Sequence, residues 1–178
     1  MARKKTTRKS KSAKPKTSRR KPKATKPRQV KPIPAGYHSV TPYLIINGAA
    51  VALEFYKKAF GAKELLRMPH GERIGHAEIM IGDSHVMLAD EFPDMGARAP
   101  MQGTLPPVGM MVYVKDVDTV FARAVAAGAK VERPVANQFY GDRTGGVIDP
   151  FGHRWYIGTH IEDVPPKELQ RRMQETMK

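Results

Sequence analysis

His76 and Glu78 stand two residues apart in a run, Ile74 to Ile81, that reads as a strand, so their side chains share a face. Gly82-Asp83 follows as a two-residue hairpin turn. With that turn Glu78 pairs with Met87 and Met80 with His85, which brings His76, Glu78 and His85 to one face of the hairpin. Two chemistries suit such a trio. One is a three-donor cluster for a divalent cation; the other is an acid–base pair lining a groove. The plainer alternative is a set of polar residues hydrogen-bonded to one another on a solvated or pocket-facing strand.

Asp142-Arg143 is the second pair. An arginine in a groove binds a carboxylate or phosphate through two parallel hydrogen bonds; alternatively the two residues pair with each other and fix the loop before the last hairpin. His153 follows the turn Asp149-Pro150-Phe151-Gly152, which has Pro at its second and Gly at its fourth position, and is expected to be exposed. Trp155 is expected in the core. Gly145-Gly146 reads as a bend where bulky side chains would not fit. Met68, Met80, Met87, Met95, Met101, Met110 and Met111 suit an adaptable apolar pocket or a soft core.

The elements that must position these residues recur. Val40–Ile46 reads as a strand, Ala49–Phe60 as a helix closed by Gly61, and Ala62–Met68 as a strand ended by a turn at Pro69-His70-Gly71. The hairpin Ile74–Ile81 with His85–Ala89 completes a βαβββ unit. Asp90–Pro107, rich in Pro, Gly and Met, reads as a linker or flap. The order then repeats: strand Gly109–Val114, helix Val117–Ala127 before Gly128, strand Ala129–Pro134 and the last hairpin. Gly61 and Gly128, Ile46 and Val114, and Gly82 and Gly152 correspond at offsets of 67, 68 and 70 residues. A repeat of this kind implies two units burying one core together. The expected fold is α+β, with two tandem βαβββ modules as curved mixed sheets around a groove and helices outside. The modules span 38–92 and 107–164 of a domain at 38–164. A C-terminal helix over 165–178 carries the stripe Leu169, Met173 and Met177.

The net charge of +14 over 178 residues is uneven. Residues 1–37 hold 15 of the 31 Lys and Arg and no acid, while the remainder sets 16 basic residues against all 17 acids. The tail, with few apolar residues, reads as disordered. Its Ala-Lys-Pro-Lys pattern resembles linker-histone and bacterial histone-like tails, and residues 3–31 suit non-specific nucleic-acid binding by phosphate neutralisation. A solvated extension without a partner is the alternative, and excess Lys and Pro argues against a transit peptide. The absence of Cys excludes disulfides and thiolate metal sites. No apolar run approaches the roughly 20 residues of a membrane span, so a cytoplasmic location without membrane attachment is expected, with nucleoid association through the tail.

The paired modules, VTPYL, the GHAEIMIGDSHVMLADEFPDMG run, FYGDR and DPFGHRW resemble the vicinal oxygen chelate superfamily of glyoxalase I, bleomycin-resistance proteins and extradiol dioxygenases, and its PhnB-like branch in particular. In metal-dependent members of that family, ligands come from the first and last strands of each module. The resemblance places those positions at Thr41, Gly109, Val86 (His85 or Met87 if the register slips by one) and Tyr156. This set lacks the His, Glu and Gln that the family uses, so the resemblance implies a small-molecule binding protein with no cofactor. Tyr156 would present its hydroxyl to the ligand. The competing expectation is a metal-dependent lyase or dioxygenase-like enzyme with a displaced site at His76, Glu78 and His85. Relatives sometimes carry methyltransferase names, but no Gly-rich loop between strand and helix offers a cradle for a nucleotide-like cofactor. The resemblance also implies a homodimer.

Overall fold

The computed structural model describes residues 30–101 and 103–176; the expected disorder of residues 1–29, and Met177 of the apolar stripe, lie outside the described residues. The chain divides into two units, Met1–Pro32 and Ile33–Lys178, and every element among the described residues belongs to the second.

The first module runs β1 (Tyr43–Ile46), α1 (Ala49–Phe60), β2 (Lys63–His70), β3 (Arg73–Ile81) and β4 (Ser84–Asp90). The second runs β5 (Gly109–Tyr113), α2 (Val117–Ala126), β6 (Lys130–Asn137), β7 (Asp142–Ile148) and β8 (Arg154–His160), and α3 (Pro166–Thr176) follows. Between the modules, among the described residues, lie only a short 3-10 turn at Pro93–Met95 and a bridge between Phe92 and Ala97. Among the described residues no helix is long and apolar enough to cross a membrane.

Each module is one mixed four-stranded sheet, in the orders β1-β4-β3-β2 and β5-β8-β7-β6. β1 and β4 pair in parallel, as do β5 and β8; the other pairs are antiparallel. Gly82-Asp83 makes the turn, and Glu78 stands opposite Met87 and Met80 opposite His85, the register expected from the sequence. β2 runs through Pro69 to His70, beyond the expected turn, because a bulge between Met68 and Pro69 absorbs the missing donor. β6 likewise runs through Pro134, with irregularities between Val131 and Arg133 and between Arg133 and Ala136.

The helices start on side chains borrowed from the last strand of their own module. Gly48 at the N-terminus of α1 has no side chain to offer. Asp90 instead accepts from Gly48 N (3.0 Å) and Ala49 N (2.8 Å) through Oδ1, and from Ile74 N through Oδ2 (2.6 Å). At the same place in the second module, Thr159 Oγ1 accepts from Val117 N at 3.0 Å. Asp116 adds a cap by accepting from Thr119 N. Thus α1 and α2 are each tied to one face of their sheet, and the opposite faces are left open.

α1 packs on α2, and the core fills the space between helices and sheets with Ile46, Leu53, Tyr56, Phe60, Ile79, Leu88, Val147, Trp155 and Ile157. Trp155 is buried as expected, with its ring 4.8 Å from Phe60 and 5.5 Å from Tyr56. Gly145 and Gly146 are not a bend; both sit inside β7. A Cβ at Gly145 would lie 2.6 Å from the Phe121 ring, so this glycine lets α2 approach the sheet. α3 begins at Pro166, as a proline-led helix should. It is tied down by Arg172, which pairs with Glu162 at 2.7 Å and donates to Phe139 O.

Candidate functional site

The open faces form two cups of different character. The first belongs to β1–β4. His76, Glu78 and His85 share its face, as the register requires, but they do not converge. Glu78 Oε1 lies 3.1 Å from His76 Nε2, and its Oε2 accepts a short hydrogen bond from Tyr37 OH. The Tyr37 ring stacks on His85 at 4.1 Å, so it stands between His85 and the carboxylate. Tyr43 stacks on His76 at 5.6 Å, and its hydroxyl lies 3.3 Å from Nδ1. The bond from Tyr37, helped by His76, holds the Glu78 carboxyl below its ordinary range, and the same bond pushes the Tyr37 hydroxyl up to about 12. Glu78 is therefore a carboxylate at neutral pH with both oxygens engaged, and the first cup is largely occupied by its own side chains.

Among the described residues, no group of three His, Asp or Glu side chains could hold a metal ion. The positions implied for the family's ligands offer nothing better. Val86 faces the core, 4% exposed, because β4 alternates and sends His85 and Met87 to the open face instead. Thr41 Oγ1 reaches only the His38 carbonyl, Gly109 has no side chain, and Tyr156 is a phenol. This donor set does not fit a divalent cation, which needs three or four convergent N, O or S donors.

The second cup, on β5–β8, encloses a cavity of about 260 Å³. Two rows of residues across the sheet build it. In one row Met111, Tyr156, Gly146 and Arg133 stand side by side on β5, β8, β7 and β6; in the next, Tyr113, Gly158 and Thr144 do. The glycines make the floor. A Cβ at Gly146 would lie 3.4 Å from both Arg133 and Tyr156, and one at Gly158 would lie 2.4 Å from the Met111 methyl. Tyr140, from the β6–β7 turn, closes one side. Asp142, 4% exposed, sits at the end of the cup; its Oδ2 accepts from Tyr113 OH at 2.8 Å and its Oδ1 lies 2.7 Å from His160 Nδ1. The bond to Asp142, and a second to Asp163, raise the His160 pKa, so the ring stays protonated to higher pH than a free imidazole.

Of the sequence candidates, Asp142 and Tyr156 meet in this cavity, while Arg143 does not. As the next residue along β7 it points to the other face, where it pairs with Asp118 of α2 at 2.7 Å and donates to Asn137. Asp142 and Arg143 therefore do not pair with each other. His153 is not exposed, since its side chain retains only 12% accessibility. Sequence reasoning missed Tyr37, Tyr113, Arg133, Tyr140 and His160. Strand alternation opposite the Trp155 and Ile157 core positions was one available signal, since it sends His160, like Tyr156, to the face away from the core.

The profile of the Glyoxalase/Bleomycin resistance protein/Dioxygenase superfamily matches residues 37–157. An uncharacterised protein of Mycobacterium bovis is 40% identical over 139 residues, covering 76% of this chain and 91% of that protein. Among solved structures, TioX from Micromonospora sp. ML1 superposes with a TM-score of 0.55 at 26% identity, over 72% of this chain and all of TioX. A PhnB protein from Bacillus cereus, described as a putative 3-demethylubiquinone-9 3-methyltransferase, shares the fold with a TM-score of 0.55 at 18% identity, over 68% of this chain and 99% of that one.

Proposed function

This chain belongs to the glyoxalase/bleomycin resistance protein/dioxygenase superfamily, and from that premise we propose that it is a small-molecule binding protein that works without the metal used elsewhere in the family. The observation that carries the reading is the second cup, a cavity of about 260 Å³ walled by tyrosines, floored by glycines and provided with a few polar groups at its ends. Such a mixture suits recognition of a compact organic ligand. The donor set at the family's ligand positions supports binding over metal-assisted turnover.

The ligand groove is completed by a second copy of the chain. Tyr113 is 62%, Met68 52% and Met111 40% exposed on the open faces, apolar surface that a second copy would cover. α1 packing on α2 leaves neither cup covered by the other module of the same chain.

Light scattering followed by thermal melting of the full chain tests both statements. The expected mass is that of a dimer, and the expected melting temperature is the same with chelator as with added Ni, Zn, Mn or Fe. A metal held at a hundred times its dissociation constant would add about 2.7 kcal/mol, roughly 5–10 °C for a chain of this size. A shift of that size, together with stoichiometric metal lost in His76→Ala, makes the displaced-site enzyme the correct reading.

A second role rests on the tail, whose composition provides 15 cations and no anion over residues 1–37. Residues 3–31 bind nucleic acid without sequence preference. Affinity for duplex DNA is expected to fall by about three to five orders of magnitude between 50 and 200 mM salt if 6–10 phosphates are neutralised, and to vanish on deletion of residues 1–31. Sequence-selective binding, or binding that survives the deletion, would place the interface elsewhere.

A further inference from the structure

We propose that the cup of the second module selects organic anions carried on a flat unsaturated ring, with Arg133 as the residue that reads the charge. This names the ligand class of the small-molecule reading above and rests on it. The other arginines near the cup are engaged: Arg143 with Asp118, Arg154 with Glu132, Arg172 with Glu162. Arg133 has no carboxylate or carbonyl partner among the described residues. Its guanidinium stands 5.6 Å from the centre of the Tyr156 ring and lines the cavity. A guanidinium resting on a tyrosine face keeps its N–H fork available, and that fork matches a carboxylate in shape and charge.

Gly146 stands between Arg133 and Tyr156 in the row across the strands, so no side chain rises between them and the guanidinium can reach over the Tyr156 ring. The remaining walls, Met111, Tyr113 and Tyr140, offer flat or polarizable faces for a ring.

The acid of the cup does not cancel the cation. Asp142 spends one oxygen on Tyr113 and the other on His160. It lies four residues along β7 from Gly146, about 13 Å at strand spacing.

The test is calorimetric titration of the full chain with 2-naphthoate and with its neutral counterpart 2-naphthamide, for the wild type, Arg133→Met and Arg133→Lys. In the wild type the acid is expected to bind roughly tenfold or more tighter than the amide. That ratio should collapse toward one in R133M and be partly kept in R133K, whose charge remains. Equal binding of acid and amide in the wild type overturns the inference and leaves the small-molecule cup standing. A preference for the acid that persists in R133M also overturns it and assigns the attraction to another cation of the chain. Binding of neither compound overturns it too, whereas the reading beneath it falls only on the separate finding of stoichiometric metal.

Discussion

Replacing Asp149 by Ala is expected to lower the stability of the fold by about 3–5 kcal/mol, the cost of leaving several buried donors without their shared acceptor. Asp149 is 3% exposed and accepts four hydrogen bonds. Tyr56 OH and Trp155 Nε1 donate to Oδ2 at 2.8 and 2.9 Å, and the backbone N–H groups of Phe151 and His153 donate to Oδ1 at 2.9 and 2.8 Å. Tyr56 belongs to α1 and the other three to the turn and start of β8, so this one carboxylate joins the first module to the second. Asn at 149 cannot replace it, because its amide would set N–H groups against two existing donors; a loss of about 2 kcal/mol is expected. Tyr56→Phe removes one bond and costs about 1 kcal/mol.

The same contacts fix the pH dependence. Burial alone would raise the Asp149 pKa, but the charge of the His153 ring 3.7 Å away and the bonds from His153 N and Trp155 outweigh it, and the net shift is downward. A carboxyl depressed in the folded state stabilises the fold above its unfolded value near 3.9, and that stability is lost as pH falls through the lower folded value. Urea unfolding at pH 7 and pH 3 measures both effects. If D149A unfolds within 1 kcal/mol of the wild type at pH 7, Asp149 is not the link between the modules.

Gly141→Ala is expected to cost about 3 kcal/mol or more and to disorganise the second cup. Gly141 has φ +97°, a conformation that costs an L-residue roughly 1–2 kcal/mol. A Cβ there would lie 2.1 Å from the Glu162 carbonyl oxygen, which is backbone and cannot turn aside. The chain after β8 crosses at this point because Ile161 N and Glu162 N both donate to Gly141 O at 2.9 Å. Pushing that crossing away would move Tyr140 and Asp142 on either side of the substituted residue. The expected readout is a melting temperature lower by roughly 6–12 °C, with loss of ligand binding even below the new midpoint. Binding at wild-type strength in a folded G141A protein would contradict the placement of Tyr140 and Asp142 in the cup.

The modules were legible in the sequence because each element carries a local signal. The face of α1, the glycine after it and the Gly82-Asp83 turn are read within a dozen residues, and the hairpin register follows from the turn. Asp142 is legible as half of the Asp142-Arg143 pair before the last hairpin, and Tyr156 as a ligand position implied by the family resemblance. What escaped depends on neighbours across the sheet. Arg133 acquires meaning only beside Gly146 and Tyr156, which belong to other strands, and irregularities in β6 decide which of its residues lines the cup. Tyr37 reads in the sequence as the end of the tail. Its ring belongs with His85, 48 positions along the chain. The face of Arg143 could have been inferred, since it adjoins Asp142 in a strand, but its partner Asp118 lies on a helix.

The two outer strands share a design whose consequence concerns solubility. β2 and β6 each open on a lysine, Lys63 and Lys130, carry a proline, Pro69 and Pro134, and are broken by two register irregularities. An edge of that kind cannot template a flat ladder, so another chain gains little by adding to it. The opposite edges, β1 and β5, are short but regular. Strand addition is thereby confined to one side of each sheet, at β1 and β5, so no sheet can be extended from both of its edges into a continuous ladder.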